Sequence, residues 1–269
     1  MSPARIAALL GKEFADLRLN PSIFVPAIFT GLASALLPFI VAVVVPAAAG
    51  ERLSDSSDFA VALEMYKEQP ALRDLDPEAA IQGWIFQQFL ILLVLTPVAG
   101  SMSVAAHTVI GEKQARTLEP LLATPITTFE LLAAKVTGSL LPSLALTFAS
   151  FGIYFLGTVL FAHAGAWRAL VVPKSLAIVF VLGPLAALAA LQMAVCVSSR
   201  VNDPRSAQQI GALIILPIAA LLVTQVTGAF VLSGPIVTAI GVALALLNAA
   251  LMAIGIALFD RESILTRWR

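Results

Sequence analysis

The chain has little charge and few of the side chains that carry out catalysis. Only 12% of its 269 residues are charged and 59% are hydrophobic, whereas soluble domains carry about 25% charged residues. Its mean hydropathy of +0.96 excludes an ordinary soluble domain. The single cysteine, Cys196, excludes an intrachain disulfide. The two histidines, His107 and His163, have no neighbouring His or Cys, so we expect no metal site.

Motifs for binding nucleotides and nucleic acids are missing as well. No GxxxxGK(S/T) phosphate loop occurs, because Gly11-Lys12 lacks both the upstream glycine and the following Ser or Thr. No Lys/Arg-rich run is available to bind nucleic acid. We therefore predict a protein without catalytic residues or cofactors of its own.

The charged residues are clustered, and long stretches contain none. No Asp, Glu, Lys or Arg occurs in residues 19–50, 79–111, 136–167, 175–199 or 206–259. A spanning helix needs roughly 20 apolar residues, and a charge at its centre costs roughly 2.5–3.5 kcal/mol. The last stretch is long enough for two spans, which Gly and Pro near its middle would separate. We predict an all-α integral membrane protein of one domain, residues 1–269, with six transmembrane helices at about residues 23–45, 84–110, 136–161, 175–197, 210–232 and 235–259.

The segment before the first span has the pattern of an amphipathic helix lying on the membrane surface, over residues 3–19. Its apolar side chains share one face: Ile6, Leu10, Phe14 and Leu17. Its charged side chains fall on another: Arg5, Lys12 and Asp16. An ordinary polar leader is the alternative.

Helix signals also surround the second span. Asp76-Pro77 predicts an N-cap and a first helical position. From there we expect a short exposed helix that enters the bilayer at Trp84, an interfacial anchor. Thr96-Pro97 predicts a kink within the span.

The distribution of basic residues predicts the orientation. Eleven of the 16 Lys and Arg residues fall in the N-terminal segment, the loops after the second and fourth spans, and the C-terminal tail. Because the side richer in Lys and Arg is normally cytoplasmic, we expect both termini inside the cell and the protein in the inner, or cytoplasmic, membrane.

Carboxylates and bases, which ion-coupled carriers usually place inside the membrane, are absent from the apolar cores of the spans. The polar side chains that the cores do contain include Gln192, Gln225 and Asn248. These residues could line a transport pathway. The alternative is interhelical hydrogen bonding, worth about 0.6 kcal/mol on average.

The loop between the second and third spans carries the most specific pattern, GEKQARTLEPLLATPITTFELLAAK at residues 111–135. Leu118, Leu121 and Leu122 form an apolar ridge at helical spacing, and charges of both signs surround it. Such a ridge suits insertion into a groove on another protein, although an elbow lying flat on lipid headgroups is also possible.

This loop resembles the first cytoplasmic loop of ABC-2 type transporter permeases. In that family a Glu-Lys pair closes the second membrane helix, a Thr-Leu-Glu-x-Leu-Leu-x-Thr-Pro run follows, and a Lys opens the third helix. The matching positions are Glu112, Lys113, Thr117, Leu118, Glu119, Leu121, Leu122, Thr124, Pro125 and Lys135. Arg116 stands where the family usually has Gly.

The resemblance implies a permease subunit that forms a homo- or heterodimer and works with separate ABC ATPase subunits, usually for export. The loop from Glu112 to Pro125, including Arg116, would then be the ATPase-coupling surface. ATP and Mg would be bound by the ATPase, not by this chain. An ATP-independent secondary transporter or channel is the main alternative, and a membrane enzyme is a third.

Overall fold

A computed structural model describes residues 3–56, 59, 73–114, 128–198, 209, 213, 215–226 and 232–258. These residues contain helices and turns but no β-strand. Four helices are uninterrupted: α1 (Pro3–Leu19), α5 (Thr128–Phe161), α7 (Ile215–Val226) and α8 (Gly234–Leu258). The second span is divided into α3 (Pro77–Leu93) and α4 (Leu95–Gln114).

Two further helices contain a π-helical segment. Helix α2 consists of Val25–Phe39, the π segment Ile40–Val44 and Val45–Ala49. Helix α6 consists of Pro173–Ala177, the π segment Ile178–Leu182 and Gly183–Ser198.

Five helical stretches in the described part of the chain are long and apolar enough to cross a membrane, namely Val25–Ala49, Pro77–Ala105, Ala133–Phe161, Pro173–Val197 and Gly234–Ile256. In the region of the predicted fifth span, 210–232, the structure describes the 12-residue helix α7. The all-helical membrane class is therefore confirmed, whereas the count of six spans stays a prediction.

The second span is the centre of the fold. Helices α2, α5 and α6 pack around α4, while α7 packs mainly on α3, and α8 packs on α6. In its most apolar stretch, 78% of the Pro77–Ala105 span is buried within the protein, compared with 17% for Gly234–Ile256. The central helix therefore contacts mostly protein, whereas α8 keeps most of its surface for lipid or a partner.

The predicted kink in this span is confirmed as a break at Val94. Pro97 has no N–H to donate to the carbonyl of Leu93, four residues earlier, so the helical ladder is interrupted there. The Val94 N–H instead bonds the Ile91 carbonyl at 3.2 Å. The Ser34 hydroxyl of α2 donates to the Leu92 carbonyl at 2.9 Å, which holds the break against a neighbouring helix.

The start of α3 follows the prediction in one respect and not in another. Asp76 is the N-cap, its carboxylate accepting from the Glu78 N–H at 3.1 Å, and Pro77 is the first helical residue. The expectation of an exposed helix before Trp84 is wrong. Glu78 and the residues through Gly83 are buried, because turns at Leu53–Asp55 and Ala166–Leu170 pack on this end of the helix.

Residues 3–19 do form a helix, and it packs mainly against α5. Leu17 is buried, together with Ile23 and Val104. Leu9 is buried as well, while Phe14 remains 37% exposed. Packing on α5 turns part of the predicted apolar face away from the protein; an interfacial position for α1 stays a prediction.

Candidate functional site

The loop predicted to contact an ATPase is flanked by two helices that extend beyond their apolar spans. Helix α4 continues to Gln114, four residues past residue 110, where the sequence predicts the end of the second span. At 1.5 Å per residue this adds about 6 Å of helix. Helix α5 begins at Thr128, eight residues before residue 136, where the sequence predicts the start of the third span. Both helices therefore extend past their predicted spans, and we call these two helix ends the α4–α5 hairpin.

Two of the ten candidate coupling residues lie within the described part of the chain. Glu112 and Lys113 belong to the last turn of α4. The remaining candidates lie outside the described residues: Arg116, Thr117, Leu118, Glu119, Leu121, Leu122, Thr124 and Pro125.

The returning side of the hairpin has buried charges at its base. Glu130 and Lys135 of α5 are 1% and 2% exposed, and both have interaction partners. A charged side chain is tolerated in a protein interior only when it is paired or hydrogen-bonded. The start of α5 therefore lies in the protein interior, where both charges have partners.

The three predicted pathway residues, Gln192, Gln225 and Asn248, are all buried, on α6, α7 and α8 respectively. Each has a buried polar atom for which the described part of the chain provides no hydrogen-bond partner: Gln192 Oε1, Gln225 Nε2 and Asn248 Oδ1. Within the described residues no hydrogen bond joins the three. Asn248 Nδ2 donates to the carbonyls of Leu185 on α6, at 3.0 Å, and Leu244 on its own helix, at 2.8 Å.

A second set of polar residues, which sequence reasoning missed, lies near the other end of the second span. Gln87 of α3 makes three hydrogen bonds in this set. Its Nε2 donates to the Ala169 carbonyl at 3.1 Å and to Ser175 Oγ at 3.0 Å. Its Oε1 accepts from Lys174 Nζ at 2.8 Å. One buried side chain thus ties α3 to the start of α6 and to the turn before it. Lys174 turns its ammonium group toward this interior partner.

Gln82, more than one turn earlier on α3, makes a second set of cross-links. Its Nε2 donates to the carbonyl of Ala42 at 3.3 Å, and its Oε1 accepts from the His163 N–H at 2.8 Å. Ala42 lies in the π segment of α2. We call Gln82, Gln87, Lys174 and Ser175 the outer polar network, because the predicted orientation puts this end of α3 on the outer side of the membrane. The feature of the sequence that could have indicated this network is the presence of three glutamines, at 82, 87 and 88, in one stretch without charged residues.

Apolar helices bundled around a buried central span define a multi-pass membrane protein. The chain matches the model of a known family, the ABC-2 family transporter protein, over residues 67–240. This match covers more than half of the sequence, and the chain belongs to the ABC-2 transporter family. A comparison with curated proteins finds no significant match. The family is that of a membrane transport subunit of ABC transporters, which is not itself catalytic.

Proposed function

We propose that this chain is the membrane-spanning permease subunit of an ATP-driven exporter. It would pair with a second permease, identical or related, and with separate ABC ATPase subunits that bind ATP and Mg. Both termini and the α4–α5 loop would face the cytoplasm, as the eleven-to-five distribution of basic residues predicts. The family supports the transport role; the direction of transport and the ATPase partner are our inferences.

One observation carries the coupling part of the proposal: α4 continues to Gln114 and α5 begins at Thr128, so both are helical beyond the spans that the sequence predicts. A motion imposed on a flexible loop would be absorbed there, whereas a motion imposed on two continuing helices reaches the spans. The break at Val94 then separates α4 from α3, so the inner half of the central span can move with the hairpin while the outer half stays fixed. This is a two-state element that a ligand on the ATPase can bias.

The outer polar network holds α3, the outer half of the central span, in place. It binds α3 to α2 and α6, and its members Gln82, Gln87 and Ser175 are buried. In the alternating-access mechanism the pathway opens at one side while it is closed at the other. We infer that this conformation is closed at the outer side and that export requires these hydrogen bonds to open.

Charge reversal at Glu119 tests the coupling surface. Removing one partner of a buried, hydrogen-bonded charge pair costs about 2–5 kcal/mol, so Glu119→Arg should abolish co-purification of the ATPase. Asp16→Arg is the matched control. It makes the same change on the same predicted side, at an exposed residue whose only described ion pair, with Lys12 at 3.8 Å, is worth about 0.3–0.5 kcal/mol.

The measurement is the ATPase-to-permease ratio after purification in mild detergent, with permease abundance recorded in parallel. We expect normal abundance for both variants and loss of the ATPase for Glu119→Arg alone. An unchanged ratio for Glu119→Arg would mean that the loop is not the coupling surface. Absence of any ATPase from the wild-type preparation would favour an ATP-independent carrier.

We also propose that Gln192, Gln225 and Asn248 line the pathway. An unpaired buried polar atom costs about 1–3 kcal/mol, and each of the three carries one. A hydrogen-bond partner in another state of the transport cycle, either the substrate or a displaced helix, would explain why these atoms are unpaired in this one.

Substitution of Gln192 separates this role from simple packing. Gln192→Met removes the unpaired atom at similar volume, so it should stabilise the fold while lowering ATP hydrolysis by the assembled transporter. Ser101→Ala is the control, because Ser101 Oγ bonds the carbonyls of Val98 and Ala187, each at 3.2 Å. Its removal should destabilise the fold. Equal loss of stability in both variants would assign Gln192 a structural role.

A further inference from the structure

A groove lies between α1 and α5. Its first wall is the face of α1 formed by Phe14, Leu17 and Arg18, and it continues onto Pro21 and Phe24 in the turn after α1. Leu17 anchors this wall to the protein, since it packs with Val104 of α4. The Ser103 hydroxyl holds the turn in place by donating to the carbonyl of Ile23 at 2.8 Å.

The second wall is formed by Leu141, Pro142 and Ala145 of α5, and the groove encloses about 560 Å³. That volume lies within the range of roughly 300–1,000 Å³ typical of small-molecule sites. The groove is open to its surroundings at Phe14 and Leu141, which are 37% and 48% exposed.

Leu141 lies six residues after Lys135, the last charged residue before the apolar part of α5. At 1.5 Å per residue this is about 9 Å along the helix, so the opening lies near one end of the predicted third span. An apolar groove that opens at this level is in contact with lipid chains, and water would fill it only at the cost of wetting its apolar walls.

Arg18 gives the groove one charged group. Its side chain is exposed, and it makes no ion pair with any residue in the described part of the chain. Lys12, on the same helix, is instead paired with Asp16 and does not line the groove. A guanidinium at the edge of the hydrocarbon layer is suited to a phosphate, because its planar fork can donate two parallel hydrogen bonds. We propose that this groove binds an anionic phospholipid, with an acyl chain between α1 and α5 and its phosphate at Arg18.

Native mass spectrometry of the purified full-length chain, titrated with phosphatidylglycerol or phosphatidylcholine of matched chains, tests the proposal. The wild type should prefer phosphatidylglycerol. Arg18→Gln should weaken its binding about fivefold, to the level of phosphatidylcholine, as expected for the loss of one basic group at an anionic lipid. Lys12→Gln removes the same charge from α1 outside the groove and should keep the preference. Equal affinity of the wild type for both lipids, or equal effects of the two substitutions, would overturn the headgroup assignment.

Filling the groove tests the acyl-chain part separately. Ala145→Trp should abolish binding of both lipids, whereas Ala149→Trp, one turn further along the same helix at an exposed position that does not line the groove, should not. Inorganic phosphate that displaces the lipid at low millimolar concentration would indicate an anion site without a chain. A change in oligomeric state for Ala145→Trp, with lipid binding retained, would mean that a second copy of the chain occupies the groove.

Discussion

The hydrogen bond between Lys174 and Gln87 provides the sharpest test of the outer polar network. Its 2.8 Å length and its charged donor place it among the stronger hydrogen bonds, worth about 1.5–3 kcal/mol. Gln87→Leu removes this acceptor and leaves a half-buried ammonium without it. Lys174→Met leaves Gln87 Oε1 buried and unpaired, at a cost of about 1–3 kcal/mol. Each single substitution should therefore destabilise the fold by about 2 kcal/mol or more.

The double variant should recover much of that loss, because replacing both partners of a buried hydrogen bond by apolar groups of similar shape can be nearly neutral. We expect a coupling energy of about 1.5–3 kcal/mol. Interhelical hydrogen bonds in membrane proteins average about 0.6 kcal/mol. A value in the higher range would therefore distinguish a desolvated lysine from one whose ammonium group is hydrated at the membrane surface.

Equilibrium unfolding in mixed micelles can measure these free energies, with a thiol-reactive dye reporting on Cys196, the one cysteine of the chain, which is half-buried in α6. Gln88→Leu is the matched control, since Gln88 adjoins Gln87 and its side chain makes no hydrogen bond in the described part of the protein. A coupling energy below about 0.5 kcal/mol, within the error of additivity, would refute the network as a unit that holds α3 to α6.

Three further predictions concern topology, nucleotide binding and packing. In a cysteine-free background, Arg168→Cys should react with an impermeant thiol reagent added to intact cells and Gln114→Cys should not; the opposite result would reverse the orientation. The purified chain alone should show no saturable ATP binding, because it has no phosphate loop, and measurable binding would contradict this. Gly157→Ala should destabilise the fold by about 1–3 kcal/mol, because a Cβ there would lie 2.7 Å from the ring of Phe39. Gly152→Ala, on the same helix with nothing within 4 Å of the new Cβ, should be neutral or stabilising in unfolding measurements, and equal losses would argue against the contact.

The features that could be predicted from the sequence are those that depend on a single large free-energy cost at particular residues. Desolvation of charge limits where a span can lie, so five of the predicted apolar segments contain a helix long enough to cross a membrane. The N-cap at Asp76 and the break before Pro97 follow from backbone hydrogen bonds that particular residues provide or prevent. None of these features requires knowledge of which helix packs on which.

Helix arrangement could not be predicted in the same way, because lipid and protein interior are equally apolar. The Pro77–Ala105 and Gly234–Ile256 spans have similar hydropathy, 1.8 and 2.3, but bury 78% and 17% of their most apolar windows. Periodicity of apolar residues, which marks the buried face of a helix in a soluble protein, carries little information when both faces are apolar. The burial of the start of α3 was missed because it depends on turns from distant parts of the sequence, Leu53–Asp55 and Ala166–Leu170, that pack on it.

The polar residues of the spans are distinguished by their hydrogen bonds rather than by their type. The sequence singled out Gln192, Gln225 and Asn248 and passed over Gln82 and Gln87, although four of these five residues are glutamines. Gln82 and Gln87 use both ends of their amides in contacts between elements. The other three each leave an atom unpaired. A fully bonded amide resists separation of the elements that it joins, because each of its partners would have to be replaced. An amide with an unpaired buried atom instead costs free energy in this conformation. We therefore propose that the outer polar network stabilises the closed conformation inferred above, and that the three side chains with unpaired atoms favour leaving it.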